Sequence, residues 1–173
     1  MKLGYLIKGL PGHPLHPPLT DATIGAYTVA AVLAFFSKIG VSSHATATGW
    51  WLALLVAVVI TGLTALSGLV EWLTITWRSP LWWTVTLHML TMLAATAFFL
   101  VALLWGHAGY TRGAVETGPF VLTLLGFGLL TLGGWFGGSI VFVYGMRVLG
   151  LPDEPTSRAI SPLPKPEKER AEA

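Results

Sequence analysis

The chain has 173 residues, 54% of them hydrophobic and 10% charged, against about 25% charged in ordinary soluble domains. That balance excludes water as the main solvent, and a net charge of +2 carried by scattered basic residues leaves no footprint for nucleic acid. The absence of cysteine excludes disulfides, c-type haem attachment, thiolate-held iron–sulfur clusters and cysteine nucleophiles. Histidine, carboxylate, tyrosine and methionine remain as ligands.

The N-terminal segment, residues 1–18, carries Lys2 and Lys8 but is broken by Pro11, Pro14, Pro17 and Pro18. No small-residue cleavage site follows a short apolar core, so no cleaved signal peptide is expected. Within it the run GHPLHPP, Gly12 to Pro18, sets His13 and His16 at the lip of the first apolar stretch. Residues 19–148 then hold four such stretches, Leu19–Ile39, Trp50–Trp77, Leu81–Trp105 and Pro119–Met146. Each supplies the roughly 20 residues that a spanning helix needs. Backbone groups in hydrocarbon must bond within their own segment, and the alternation of a membrane barrel is missing, so helices are predicted throughout. Pro17 and Pro18 suit the first turn of helix 1, Ser79 and Pro80 start helix 3, and Gly118 with Pro119 opens helix 4. The Ser-, Thr- and Gly-rich link between Ser37 and Gly49 reads as a loop. Trp50, Trp51, Trp77, Trp82, Trp83 and Trp105 stand at span ends, as in an interfacial belt. The fold class is all-α, an integral membrane four-helix bundle whose first partner is the lipid bilayer.

Basic residues orient the bundle. Lys2, Lys8, Arg78, Arg147, Arg158, Lys165, Lys168 and Arg170 fall on one side, Lys38 and Arg112 on the other. The positive-inside rule then places both termini in the cytoplasm, with the protein in a cytoplasmic membrane. The tail, residues 149–173, is rich in proline and mixed charge and reads as disordered and solvated.

This topology gathers scattered polar residues on one side. His13 and His16 stand at the lip of helix 1 with Asp21 about one turn inside. Glu71 and His88 are each roughly eight residues from the link between helices 2 and 3, about 12 Å deep at the helical rise. Tyr144 and Arg147 close helix 4 on the same side. Small and polar residues at helical spacing (Ala57, Thr61, Thr64, Gly68 and Glu71 on helix 2; Thr84, His88, Thr91 and Ala95 on helix 3) turn Glu71 and His88 inward, and Asp21 is expected to follow. A charged Glu71 against lipid would cost several kcal/mol, so it is expected to be paired, protonated or ligating.

Three readings of the cluster stay open. In the first, the residues are structural: Glu71 pairs with Arg147 or Arg78, His88 bonds a threonine or a backbone carbonyl, and GHPLHPP anchors helix 1. In the second, imidazoles hold a cofactor, because neutral histidine is the commonest metal ligand. A metal ion would take His13, His16, Glu71 and His88; haem b would take His88 with His16 or His13, and Arg147 would meet its propionates. Asp21, Thr91 and Tyr144 stand around either set. The third reading is a proton relay through the histidines, Asp21 and Glu71. His44 and His107 lie by the opposite loops and read as interfacial. The run GGWFGG on helix 4, with Gly133, Gly134, Gly137 and Gly138, permits close helix contact within the bundle, with a second copy or with a redox-complex partner. No nucleophile–base pair and no phosphate loop points to an enzyme in its own right, and no inverted repeat or broken helix points to a transporter.

GHPLHPPLTDATIGAY (Gly12–Tyr27), GLTALSGLVEW (Gly62–Trp72), His88 and GGSIVFVYGMRV (Gly137–Val148) resemble a bacterial membrane family, domain of unknown function 2231, over nearly all of the chain before the tail. The resemblance implies a helix after HPLHP, a small-residue helix ending in an acid and Trp, a histidine in the third helix and a glycine-rich fourth. Here Glu71 stands where Asp is usual, and Thr91 where an amide often follows the histidine. Members are similar to parts of larger proteins carrying Rieske or cytochrome c domains, which implies electron transfer at a bacterial inner membrane. The expectation is therefore a haem b- or metal-binding subunit, or partner, of a redox assembly, with His16 and His88 as first-choice ligands. A non-catalytic membrane scaffold is the rival.

Overall fold

The structure, a computed structural model, describes residues 7–10 and 12–161. Four long helices dominate it: α1 His16–Lys38, α2 Ser43–Trp72, α3 Pro80–Thr111 and α4 Thr117–Phe142. All four are long and apolar enough to cross a membrane. At 1.5 Å per residue the 30 residues of α2 and the 32 of α3 reach about 45–48 Å, beyond a hydrocarbon core of about 30 Å, so both tilt or project. A short helix α5, Thr156–Ala159, follows. Two-residue strands β1 Gly9–Leu10 and β2 His13–Pro14 pair antiparallel ahead of α1.

Four successive crossings return the chain to the end of the bundle where it began, here called the near end. It carries Gly12, the link after Trp72 and Gly150. α1 packs closely on α2, and α3 on α4; α2 and α3 touch less, and α1 and α4 least among neighbours. Alanines at the contacts, among them Ala30, Ala34, Ala57, Ala95 and Ala102, let the backbones approach. At mid-bundle Tyr27 stacks on Phe99 with ring centroids 3.9 Å apart. Toward the far end Trp51 stacks on Tyr110, with His107 edge-on to both rings. Ser37 Oγ accepts from the Val115 amide at 3.2 Å, tying the two far-end loops.

Helix boundaries differ from the sequence expectations where local chemistry outweighs hydropathy. α2 begins at Ser43, because Thr46 and Thr48 hydroxyls bond preceding carbonyls and so join the helix; the expected loop shrinks to residues 39–42. α2 stops at Trp72, with Thr74 Oγ1 donating to Glu71 O at 2.7 Å. Ser79 caps α3 by accepting from the Trp82 amide at 3.1 Å, with Pro80 in the first turn, as the sequence predicted. α3 runs past Trp105 to Thr111 because Gly106 and Gly109 are buried against Trp50 and the Ala114–Glu116 loop. α4 ends at Phe142, where Gly145 (φ 64°) and Arg147 (φ 66°) turn left-handed. Trp50 leaves the expected belt: it is fully buried and donates Nε1–H to Thr123 Oγ1 at 3.1 Å. Within the expected tail, residues 149–161 include α5 and an Arg158–Glu154 pair at 2.9 Å; residues 162–173 lie outside the described residues.

Gly106 leaves room for the Trp50 ring, and a Cβ there would overlap it. Gly106→Ala is expected to cost about 1–3 kcal/mol of overpacking strain, read as a lower thermal midpoint in detergent. Gly25→Ala, where a Cβ meets nothing within 4 Å, is the control, with unchanged or slightly raised stability.

Candidate functional site

A cavity of about 570 Å³ runs into the near half of the bundle, within the range of small-molecule and cofactor sites. Glu71 and Arg147 stand at its mouth and Tyr27 at its floor. Tyr27 is eleven residues beyond His16 on α1, about 16 Å along the axis. Ile24, Val85, Met89, Met92 and Leu130 make the walls largely apolar.

Two imidazoles line this space, and each is held in the same way. His16, the first residue of α1, donates Nδ1–H to Thr64 O on α2 at 3.0 Å and lies within 2.9 Å of Ser67 Oγ. Its ring rests on Gly68, where a Cβ would meet Cε1 at 2.7 Å. His88 on α3 donates Nδ1–H to Gly133 O on α4 at 2.8 Å. Its ring rests on Gly137, where a Cβ would meet Cε1 at 3.3 Å. In both cases the glycine stands four residues beyond the carbonyl, one helical turn on the same face. Lacking a Cβ, it leaves that carbonyl open to a neighbour's side chain. A carbonyl only accepts, so Nδ1 carries the proton, and each neutral ring keeps Nε2 as an electron-pair donor. Among the described residues no hydrogen bond reaches either Nε2.

The two rings also share a level. Trp72 Nε1 donates to Thr86 Oγ1 across the antiparallel α2–α3 pair at 3.0 Å. That register sets His88 about level with Val70, within one turn of Gly68 beneath His16. By the same register Glu71 stands about level with Leu87, one residue from His88, although α2 ends one residue after it and His88 lies eight residues inside α3. The chain leaves α2 at Trp72 and not at Trp77, so the expected two turns of helix between Glu71 and the link are absent, and the Glu71 carboxylate meets Arg147.

Glu71 is buried at the mouth and accepts from Arg147 Nε at 3.1 Å. Arg147 Nη2 also donates to Lys8 O at 3.0 Å, so one side chain ties α2 to the segment ahead of β1. This is the pair anticipated in the structural reading. Asp21 lines the cavity but is exposed, not turned inward as expected; at helical spacing the face of α1 that carries Thr23 and Tyr27 is the buried one. His13 is drawn away by β2, its Nε2 3.3 Å from Ser161 O, and does not line the cavity. Thr91 bonds back to Leu87 O, and Tyr144 OH accepts from Thr84 at 3.3 Å; neither lines the cavity.

No group of three or more His, Asp or Glu side chains among the described residues is arranged to hold a metal ion. The expected shell of His13, His16, Glu71 and His88 is therefore not assembled: His13 points elsewhere and Glu71 is engaged by Arg147. The sequence reading missed the hydroxyl floor. Thr23 Oγ1 lies 3.0 Å from Thr64 Oγ1, and Tyr27 OH 3.0 Å from Thr61 Oγ1. The signal was present, since His16, Thr20, Thr23 and Tyr27 recur at i, i+4, i+7 and i+11.

Removing Arg147 leaves the buried Glu71 without its ion partner. Arg147→Ala is expected to lose about 1–3 kcal/mol, measured by denaturant titration in detergent micelles. Adding Glu71→Gln should restore part of that loss in a double-mutant cycle; purely additive losses would show that the pair is not coupled.

No curated protein and no solved structure matches the chain. One family profile does, across residues 12–150, a range that holds both imidazoles, their glycines and the Glu71–Arg147 pair. The chain belongs to the family described as "Predicted membrane protein (DUF2231)".

Proposed function

We propose that this membrane protein is a haem b-binding subunit, or partner, of a redox assembly, with His16 and His88 as the two imidazole ligands. The observation that carries the reading is the repeated hold on the imidazoles. Each Nδ1–H is spent on a helix carbonyl, neither Nε2 has a hydrogen-bond partner among the described residues, and both rings line one cavity at one level. A hydrogen bond at Nδ1 fixes the tautomer, orients the ring and raises the basicity of Nε2, which is the usual support of a ligating histidine.

The residues present fit haem better than a bare ion. A metal ion needs three or four converging donors, whereas haem asks the protein only for axial ligands and an apolar slot. Gly68 and Gly137 keep both rings flat against their helices, and the methionines give an adaptable wall. When bound, haem b supplies one-electron chemistry. The chain's own part is to set the imidazoles, exclude water with the apolar walls, and hold the mouth with Glu71 and Arg147. Lys8 and Arg147 stand near the same rim, with Arg147 already bonded to Glu71 and to Lys8 O.

The scaffold reading has one observation in its favour: Glu71, Arg147, His16 and His88 all have protein partners. A relay reading gains less. Thr23, Thr61 and Thr64 each give their proton to a carbonyl of their own helix, which leaves no continuous donor chain.

Protein purified in mild detergent from haem-replete cells is expected to show a Soret band. His16→Ala and His88→Ala should each abolish or shift it, and Gly68→Ala, which displaces the His16 ring, should weaken it. A colourless wild type that stays colourless with added haem, and keeps its fold in both histidine variants, would establish the scaffold instead.

A further inference from the structure

The four glycines of the Gly133–Gly138 run divide two ways. Gly133 and Gly137 face α3, where Met92 and His88 fill the space before them. Gly134 and Gly138 line the cavity, as does Gly137 beside the His88 ring; a Cβ at Gly134 would meet nothing within 4 Å, and one at Gly138 only the Phe142 ring of the same helix at 4.0 Å. Facing them across the seam, Pro17 and Asp21 on α1 line the same cavity and are exposed. α1 and α4 are also the neighbours that touch least. On the opposite flank Leu69 and Leu93 set full side chains along the α2–α3 seam. The cavity wall is therefore thinnest between α1 and α4, within two spans that place lipid outside.

The geometry points to a lateral entrance: the cavity takes its ligand from the bilayer, through the α1–α4 seam over Gly134 and Gly138. The ligand class follows from the lining. Both imidazoles present lone pairs to the interior, Asp21 sets a carboxylate at its exposed edge, and the Arg147 cation is engaged by Glu71 and Lys8 O. An electron-pair-donating interior with apolar walls selects a flat, membrane-dissolved molecule with an electron-pair-accepting centre. The inference rests on the ligand-binding reading above, in which haem b is that molecule. The mechanical reason is packing: a seam edged by glycine parts for a flat ligand with no side chain to displace.

The test loads full-length apoprotein, reconstituted in phosphatidylcholine liposomes, with haem b dissolved in the same bilayer, and follows Soret growth. Gly134→Leu and Gly138→Leu are expected to slow uptake by about tenfold or more, each rate being scaled to the final band that the same variant reaches when haem is supplied in detergent before reconstitution. Gly128→Leu, on the same helix where a Cβ also meets nothing but off the cavity, should load at the wild-type rate. Wild-type rates in both seam variants, or equal slowing in Gly128→Leu, would overturn the entrance. A wild type that takes up no haem overturns the haem reading alone, and the seam is then read without haem. The chain has no cysteine, so nitroxides placed at Gly134→Cys and Gly138→Cys report cleanly. Collisions with oxygen dissolved in the bilayer should exceed those with a water-soluble nickel chelate. The reverse ratio, or protection from both, would overturn the entrance.

Discussion

Two helix carbonyls, Thr64 O and Gly133 O, can be reached from the side, and the near half of the bundle is organised around that access. In a regular helix the residue one turn ahead hangs its Cβ over the carbonyl, because side chains lean toward the N-terminus. Gly68 and Gly137 remove that cover. An imidazole can then lie along the groove and donate to a carbonyl already engaged in the helix ladder. Each bond joins the two helices of a closely packed pair, α1 to α2 through His16 and α3 to α4 through His88. The same bond that fastens the pair decides the tautomer, so packing and ligand chemistry share one cause.

The rest of the cavity follows from how the two pairs meet. Where large side chains interlock, as with Trp50 against Gly106 and Tyr27 on Phe99, the bundle is solid. Toward the near end the α1–α2 and α3–α4 pairs hold together internally but press less on each other, and the space between them becomes the cavity. Glu71 and Arg147 bridge that gap at its mouth. A buried pair of this kind offers little net stability against its desolvation cost. Its position points to a fastening across the mouth, helped by the bond from Arg147 to Lys8 O and the left-handed backbone at Arg147.

Much of the fold was legible in composition and periodicity. Four apolar stretches of spanning length, punctuated by proline and glycine, allow hardly any arrangement except four helices, because a bilayer forbids unpaired backbone groups. The convergence of His16, His88, Glu71 and Arg147 near one end was legible from the topology of four crossings. What misled was treating hydropathy as the arbiter of helix ends. Trp77 belongs to the apolar stretch but not to the helix, which ends at Trp72 and leaves Glu71 in its last turn. Thr46 and Thr48 look like loop residues, yet bonding to earlier carbonyls makes them helical. Asp21 was expected inside because acids in membranes are costly; the helical phase set by Thr23 and Tyr27 turned it to the exposed edge of the seam.

By itself the sequence determined the solvent, the number of crossings, the family and the residue types able to bind a ligand, since these depend on local composition and on the bilayer's demand for satisfied backbone groups. Only the tertiary structure decided which nitrogen of each histidine is free, which of the four glycines in GGWFGG serve packing and which border the cavity, and that His13 stands apart from His16. Those outcomes depend on which carbonyl an imidazole reaches and on which side of a helix a missing Cβ falls. Both are set by the rotation of one helix against another, and no window of sequence contains that rotation.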